Sequence, residues 1–344
     1  MKAVVKEEAG PGAELVEVET PRPGPGEVLV KIEATSICGT DVHIYEWNDW
    51  ARRRVKPPLI MGHEFAGQVV ELGEGVSRVE VGDHVSAETH IPCGRCYFCR
   101  TGRMHICENL QILGVDRDGC FAEYIAVPEI VLWKNPESVP AKLASIQEPL
   151  GNSVHVLQSV DVAGRSVAIF GAGTTGLFAT AIAHLMGAAE IFVVDQYEFK
   201  LGLAKRFGAS KTINFRAADP VQVIREATEG LGADVTLEMS GSPQAFRQAL
   251  RATRKGGKII AFGIPEKPVE FDLAEEVIFK ELEIKGITGR LMFDTWYRMS
   301  HWLRTGRLDV SAVITHELPL AEFKRGFELL LNDPGETIKV VLYP

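Results

Sequence analysis

From Gly164 onward, short apolar runs alternate with amphipathic helical segments, and this rhythm restricts the fold more than any other feature of the chain. The runs SVAIF, EIFVV, KTINF, VTLEM, KIIAF and EIKGI read as six strands, separated by helical stretches such as GLFATAIAHLMGA and PQAFRQALRATRK. Such alternation predicts a parallel, doubly wound α/β sheet. Immediately after SVAIF comes Gly171-Ala-Gly173-Thr-Thr-Gly176, opening a helical pattern. Its glycines sit where backbone must turn tightly, approach a pyrophosphate and pack helix against strand, as in a Rossmann domain. Amides at the helix start would hold the phosphates.

A glycine-rich turn alone is weak evidence, but the next strand ends at Asp195, nineteen residues beyond Gly176. A carboxylate there accepts hydrogen bonds from both hydroxyls of an adenosine ribose and repels a 2′-phosphate, so the expected cofactor is NAD rather than NADP. The bland reading is an exposed acid closing a strand. Strand, glycines and spacing together favour the dinucleotide. Lys200, five residues on, would reach the adenine side or a phosphate, or stand as a solvated helix lysine.

The chain has 344 residues, 46% hydrophobic and 24% charged, as in an ordinary globular protein with room for two cores. Residues 1–150 are rich in Gly, Pro and Val, with turn signals such as PRPGPGEV and little helical periodicity, and read as a mostly β domain. Residues 151–292 form the predicted nucleotide-type domain. In residues 293–344 two helical stretches and a terminal strand, TIKVVLY, are expected to return to the first domain. No repeat or low-complexity segment interrupts this plan. The opening MKAVVKEE is strand-like, and no apolar run approaches eighteen residues, so neither secretion nor membrane spanning is expected and a cytoplasmic location follows. A net charge of -9 without a basic block argues against a nucleic-acid partner and for a small molecule.

Four of the six cysteines, Cys93, Cys96, Cys99 and Cys107, fall in the run CGRCYFCRTGRMHIC. Three thiolates converge from one tight loop and the fourth arrives after a short return, the sulfur set that structural zinc prefers. With no open position, such a site orders a lobe and adds its binding energy to folding. Two disulfides or an iron–sulfur cluster are the rival readings. The close spacing and cytosolic character disfavour disulfides.

A second constellation comprises Cys38-Gly39-Thr40-Asp41-Val42-His43, Gly62-His63-Glu64-Phe65-Ala66-Gly67, and Glu148 in IQEPLGNSVH. Taken singly, each has an ordinary explanation as a core cysteine, a buried histidine or a surface acid. Together, GHEFAGQVVELGEGV, the Cys-Gly-Thr-Asp segment, the four-cysteine loop and the downstream glycine loop resemble the zinc-containing medium-chain alcohol dehydrogenase family, and the resemblance spans the whole chain. It implies a GroES-like mostly β catalytic domain with an inserted Rossmann domain, one catalytic and one structural zinc per subunit, and a homotetramer. ICGTDVHIYEWNDW, EPLGNSVH and GRLMFDTWYRM are most similar to members that oxidise the 3-hydroxyl of L-threonine to L-2-amino-3-oxobutanoate with NAD.

Carried over by position, the resemblance makes Cys38, His63 and Glu64 the catalytic-zinc ligands. A thiolate, a neutral imidazole and a carboxylate offset the dication, so Glu148 is expected to join the metal only transiently or to act from outside the ligand set. Thr40 and His43 would form the proton relay, accepting the substrate hydroxyl proton and passing it outward. Without the resemblance both read as an ordinary turn hydroxyl and a loop histidine. Further cofactor contacts are implied at Thr175, at Phe262, Gly263 and Ile264, and at Gly286 and Ile287, where strands end. The segment GITGRLMFDTW departs from the pattern, which has an aromatic residue at Thr288 and an acid at Leu291.

Glu88 and His90 are weighed as residues facing the site, Arg290 as a partner for a substrate carboxylate, and Cys120 as a lone buried thiol. The competing functions are a sorbitol-type polyol or 2,3-butanediol dehydrogenase, with the same ligand pattern, and a non-catalytic zinc-binding structural or redox-sensing protein.

Overall fold

The computed structural model describes all 344 residues, Met1–Pro344, as two compact units. The first comprises Met1–Pro149, Leu291–Arg304 and Ile314–Pro344, and the second Leu150–Arg290 and Thr305–Val313.

Each of the six apolar runs forms a strand of one parallel sheet in the second unit, in the spatial order Lys211–Asn214, Glu190–Asp195, Ser166–Phe170, Ala233–Glu238, Thr253–Ala261 and Glu283–Gly286. Ser166–Phe170 is central because the chain winds first to one side of it and then to the other. The strand order reverses there, and ligands of doubly wound sheets bind outside the carboxyl ends of the strands at such a reversal. Ala168, Phe170, Phe192, Val194 and Ile213 meet Ile224 and Ala249 in the core. The helical pattern PQAFRQALRATRK ends earlier than its sequence implies, with helix Pro243–Ala252 giving way to strand at Thr253. Thr253 Oγ1 donates to the Ala249 carbonyl at 2.7 Å and pairs with Thr236 Oγ1 at 2.7 Å, which ties the helix end to the neighbouring strand.

In the first unit, Glu27–Ser36 is the centre of a seven-stranded sheet. Glu64–Leu72 and Tyr124–Pro128 pair with it antiparallel, as does Lys339–Tyr343, which pairs in turn with Ile314–Pro319. Val30, Ile32 and Ala34 are buried while Lys31 and Glu33 are exposed, the alternation of a strand with one face on a core. The terminal run TIKVVLY thus returns to the first unit, but Thr305–Val313 groups with the second. There Leu308, Val310 and Val313 are buried and Asp309 lies in the field of Arg206. No helix is long and apolar enough to cross a membrane.

Helix Phe323–Asn332 follows the 3.6-residue period and lays Phe323 and Phe327 on the first unit's core. The fully buried Phe327 stacks on Tyr45 at 4.2 Å between ring centroids and meets the edge of Phe121 at 6.5 Å. Phe327→Ala is expected to cost about 3–5 kcal/mol, read by denaturant unfolding, because the cavity is walled by rigid rings.

Candidate active site

Cys38 caps helix Gly39–Glu46, and Asp41 on the first turn turns back so that its Oδ2 accepts from the Cys38 amide at 2.8 Å. That bond holds the backbone at the helix start from which the Cys38 thiol projects. Glu64 begins the strand Glu64–Leu72 opposite Ser36, and His63 immediately precedes it. One ligand atom from each of Cys38, His63 and Glu64 lies within 4.8 Å of the others. His63 and Glu64 are buried. A thiol, an imidazole and a carboxylate converging in this way fit a zinc ion that keeps an open position.

The surroundings of these three groups were not read from the sequence. Asp41 Oδ1 stands 3.3 Å from His63 Nδ1, leaving Nε2 as the ring's ligand atom in a carboxylate–histidine arrangement. Burial pulls the His63 pKa down, but the charges of Asp41 and Cys38 outweigh it and hold the pKa well above the usual imidazole range. Lys339 Nζ donates to Glu64 Oε2 at 2.9 Å and Oε1 at 3.1 Å, and to the Ile37 carbonyl at 3.0 Å. Ser36 Oγ donates to Glu64 Oε2 as well. Burial works against the Lys339 ammonium, yet Glu64, Cys38 and Glu148 together keep its pKa raised. The charge sum made from sequence therefore omitted a cation. Asp41 had a signal, an acid three residues after a helix cap. Lys339 had none beyond its place at the head of a strand.

Thr40 and His43 are three residues apart on one helix, hence on one face, and both are partly exposed. The Cys38 Sγ to Thr40 Oγ1 separation is 3.9 Å. His43 Nδ1 is 3.0 Å from Asn48 Nδ2, a contact that holds the ring in place. Glu148 is outside the three-residue group and its Oε1 accepts from Thr89 Oγ1 at 3.1 Å. Glu88 is buried, accepting from Trp296 Nε1 at 3.0 Å and from the His90 amide at 3.2 Å, so it braces the segment that carries Trp296. Cys120 is buried 3.1 Å from Thr35 Oγ1, and burial pushes its thiol up, as suits an inert core cysteine. Arg290 is buried in the second unit and donates to Asn152 Oδ1 at 2.9 Å.

The four sulfurs of Cys93, Cys96, Cys99 and Cys107 also lie within 4.8 Å of one another. Asn109 N donates to Cys107 Sγ at 3.3 Å, and backbone amides of Arg95 and Cys96 draw the Cys93 thiol down to about 6. Burial and the thiols of Cys96 and Cys107 push Cys99 up to about 12. Four sulfurs this close ionise together only around a cation, which fits a closed zinc site.

In the second unit Gly171 has φ 100° and helix Thr174–Leu185 starts just beyond it. A Cβ on Gly176 would stand 1.9 Å from the Gly171 carbonyl oxygen, so only glycine permits this approach of helix to strand. Asp195 Oδ2 accepts from Ala172 N at 2.7 Å, and Oδ1 from Gln196 N at 2.7 Å and Tyr197 N at 3.1 Å, which aims the carboxylate along the glycine loop. Gly173 has open space where a side chain would stand. Thr175 is tied through its carbonyl to Ser153 Oγ at 2.8 Å. Lys200 lies over the Tyr197 ring at 4.9 Å and within the field of Asp195, with burial lowering its pKa. Phe262, Gly263 and Ile264 follow one strand end, and Gly286 and Ile287 mark the next. A further residue here is Glu238, whose buried carboxylate accepts from Ser240 N at 2.9 Å and Gly241 N at 3.1 Å and shapes the loop beside Gly263.

Residues 24–137 match the alcohol dehydrogenase GroES-like domain and residues 174–305 the zinc-binding dehydrogenase domain. The L-threonine 3-dehydrogenase of Caldanaerobacter subterraneus subsp. tengcongensis is 52% identical over 345 residues, covering 100% of this chain and 99% of the relative. This chain belongs to the zinc-containing alcohol dehydrogenase family. As a member of that family it is an oxidoreductase with a GroES-like unit and a Rossmann unit. The L-threonine 3-dehydrogenase of Pyrococcus furiosus is 49% identical, covering 99% of this chain and 98% of the relative. The solved 2R,3R-butanediol dehydrogenase of Bacillus subtilis superposes with a TM-score of 0.90 at 28% identity, covering 100% of this chain and 99% of that one. The similarity is thus far greater to threonine dehydrogenases than to that diol enzyme. Asp41→Asn is expected to weaken zinc binding at the Cys38, His63 and Glu64 group by about 10–100-fold, measured by chelator competition, because the imidazole loses its charged support.

Proposed function

We propose that this dehydrogenase oxidises L-threonine at its 3-hydroxyl, giving L-2-amino-3-oxobutanoate, with NAD taking the hydride. The observation that carries the reading is the convergence of Cys38, His63 and Glu64 within 4.8 Å in a chain 52% identical, end to end, to an L-threonine 3-dehydrogenase. Zinc held by these three side chains would supply a Lewis acid for the substrate hydroxyl. Thr40 accepts the hydroxyl proton through its Oγ1 and hands it to His43, whose partial exposure lets the proton leave to solvent. Glu148, held by Thr89, is a carboxylate in reserve outside the ligand set.

The NAD site is built by Gly171, Gly173, Thr175 and Gly176 around the pyrophosphate and by Asp195 on the ribose, with Lys200 beside it. Phe262, Gly263, Ile264, Gly286 and Ile287 line the carboxyl edge where the nicotinamide half extends. The second zinc belongs to Cys93, Cys96, Cys99 and Cys107 and orders their lobe. Six cysteines free of disulfides, five of them proposed ligands, suit the cytoplasm.

A homotetramer is also proposed. The edge strand Glu283–Gly286 has no neighbour on one side, and Ile278, Phe279 and Ile284 near it are exposed, a surface that pairing with another copy would cover. Light scattering should return the mass of four chains.

NADH formation by the zinc-replete protein tests the main reading. Expected is a kcat/KM for L-threonine well above those for sorbitol and 2,3-butanediol, with Thr40→Ala and His43→Ala lowering kcat by about 10²–10⁴-fold. A preference for a diol would reassign the substrate, and turnover of none would return the chain to a structural role.

A further inference from the structure

Lys339 is a buried charge that the proton and hydride chemistry leaves unused. Its ammonium is among the least exposed in the protein, and it donates to both oxygens of Glu64, the carboxylate proposed as a metal ligand. Anchoring of the last strand does not call for it. That strand is already paired on both edges, at Val341 to Ser36 on one side and at Glu317 to Val341 on the other, and its Val340, Val341 and Leu342 are wholly buried. A methionine of similar length would pack there without the cost of desolvating a charge. The ammonium is matched instead to the Glu64 carboxylate, meeting its two oxygens at 3.1 and 2.9 Å.

We propose that Lys339 is a positioning residue of the metal centre, whose fixed positive charge holds Glu64 in place, supports the anionic cluster before metal enters and lowers the affinity of the site for a divalent cation. The inference rests on Cys38, His63 and Glu64 being the ligands. Its sign follows from Coulomb's law, because a cation beside a cation site opposes binding while stabilising the empty ligand set. Ser36 still restrains Glu64 when Lys339 is replaced, so the ligand stays near its place.

The test uses the full chain and zinc alone. Zinc affinity is measured by competition with a chromophoric chelator for wild type, Lys339→Met and Lys339→Arg, with His63→Ala giving the background from the four-cysteine site. Lys339→Met is expected to bind zinc about tenfold tighter or more, the scale on which residues behind the ligands act, with Lys339→Arg close to wild type. The thermal midpoint of chelator-treated Lys339→Met should fall while that of the zinc-loaded form holds, widening the gap between them. Should this variant not survive metal removal, the rate at which chelator strips zinc from the loaded protein must be slower than in wild type. Weaker or unchanged zinc binding, or an equal fall of both midpoints, overturns the proposal and leaves Lys339 as a strand anchor. If wild type binds no more zinc than His63→Ala, the ligand assignment itself fails, and the inference with it.

Discussion

The strand Glu27–Ser36 is the part on which the rest of the first unit depends, because three other strands take their register from it. Its last residue, Ser36, stands opposite both Glu64 and Val341, and two positions later comes Cys38. A strand that slipped by one residue would turn every side chain to the other face. Glu64 would then point away from Cys38, and the strand bearing Lys339 would meet a different partner. The three-residue group is held by backbone pairing fixed some distance from it.

Around that group the charges are paired at short range. Asp41 faces His63, Lys339 faces Glu64, and each pair is buried. Buried ion pairs add little net stability compared with apolar packing, yet breaking one leaves an uncompensated charge that is costly. Their value lies in arrangement: each ligand is oriented by a partner on a different element, so the imidazole and the carboxylate cannot rotate independently. The nucleotide half uses another device, in which Asp195 and Glu238 are aimed by backbone amides at the ends of adjacent turns.

Local patterns reached far into this structure. Six apolar runs gave six parallel strands, the glycine loop fell at the reversal of strand order, and the cysteine spacing brought four sulfurs together. These signals are short-range, confined to windows in which periodicity or spacing is the physics. Lys339 was invisible because its meaning comes from Glu64, 275 positions earlier, and a lysine heading an apolar strand reads as a solvated flank. Thr253 was misread for a related reason: a good helical pattern ran past the point where its hydroxyl closes the helix. Thr305–Val313 joined the second unit through burial of Leu308, Val310 and Val313, which a return to mostly polar sequence does not announce.

The place of the last strand has a consequence for a chain made from one end. Glu27–Ser36 is synthesised early, whereas Lys339–Tyr343, the strand that covers the end of it beside Ser36, comes after the entire nucleotide unit. Contacts of such long sequence separation form slowly. While the ribosome builds the contiguous stretch Leu150–Arg290, the unfinished first sheet waits with unpaired backbone groups, the kind of open edge that recruits other strands. Most of the second unit is made in that interval, and the edge closes only when the last strand arrives.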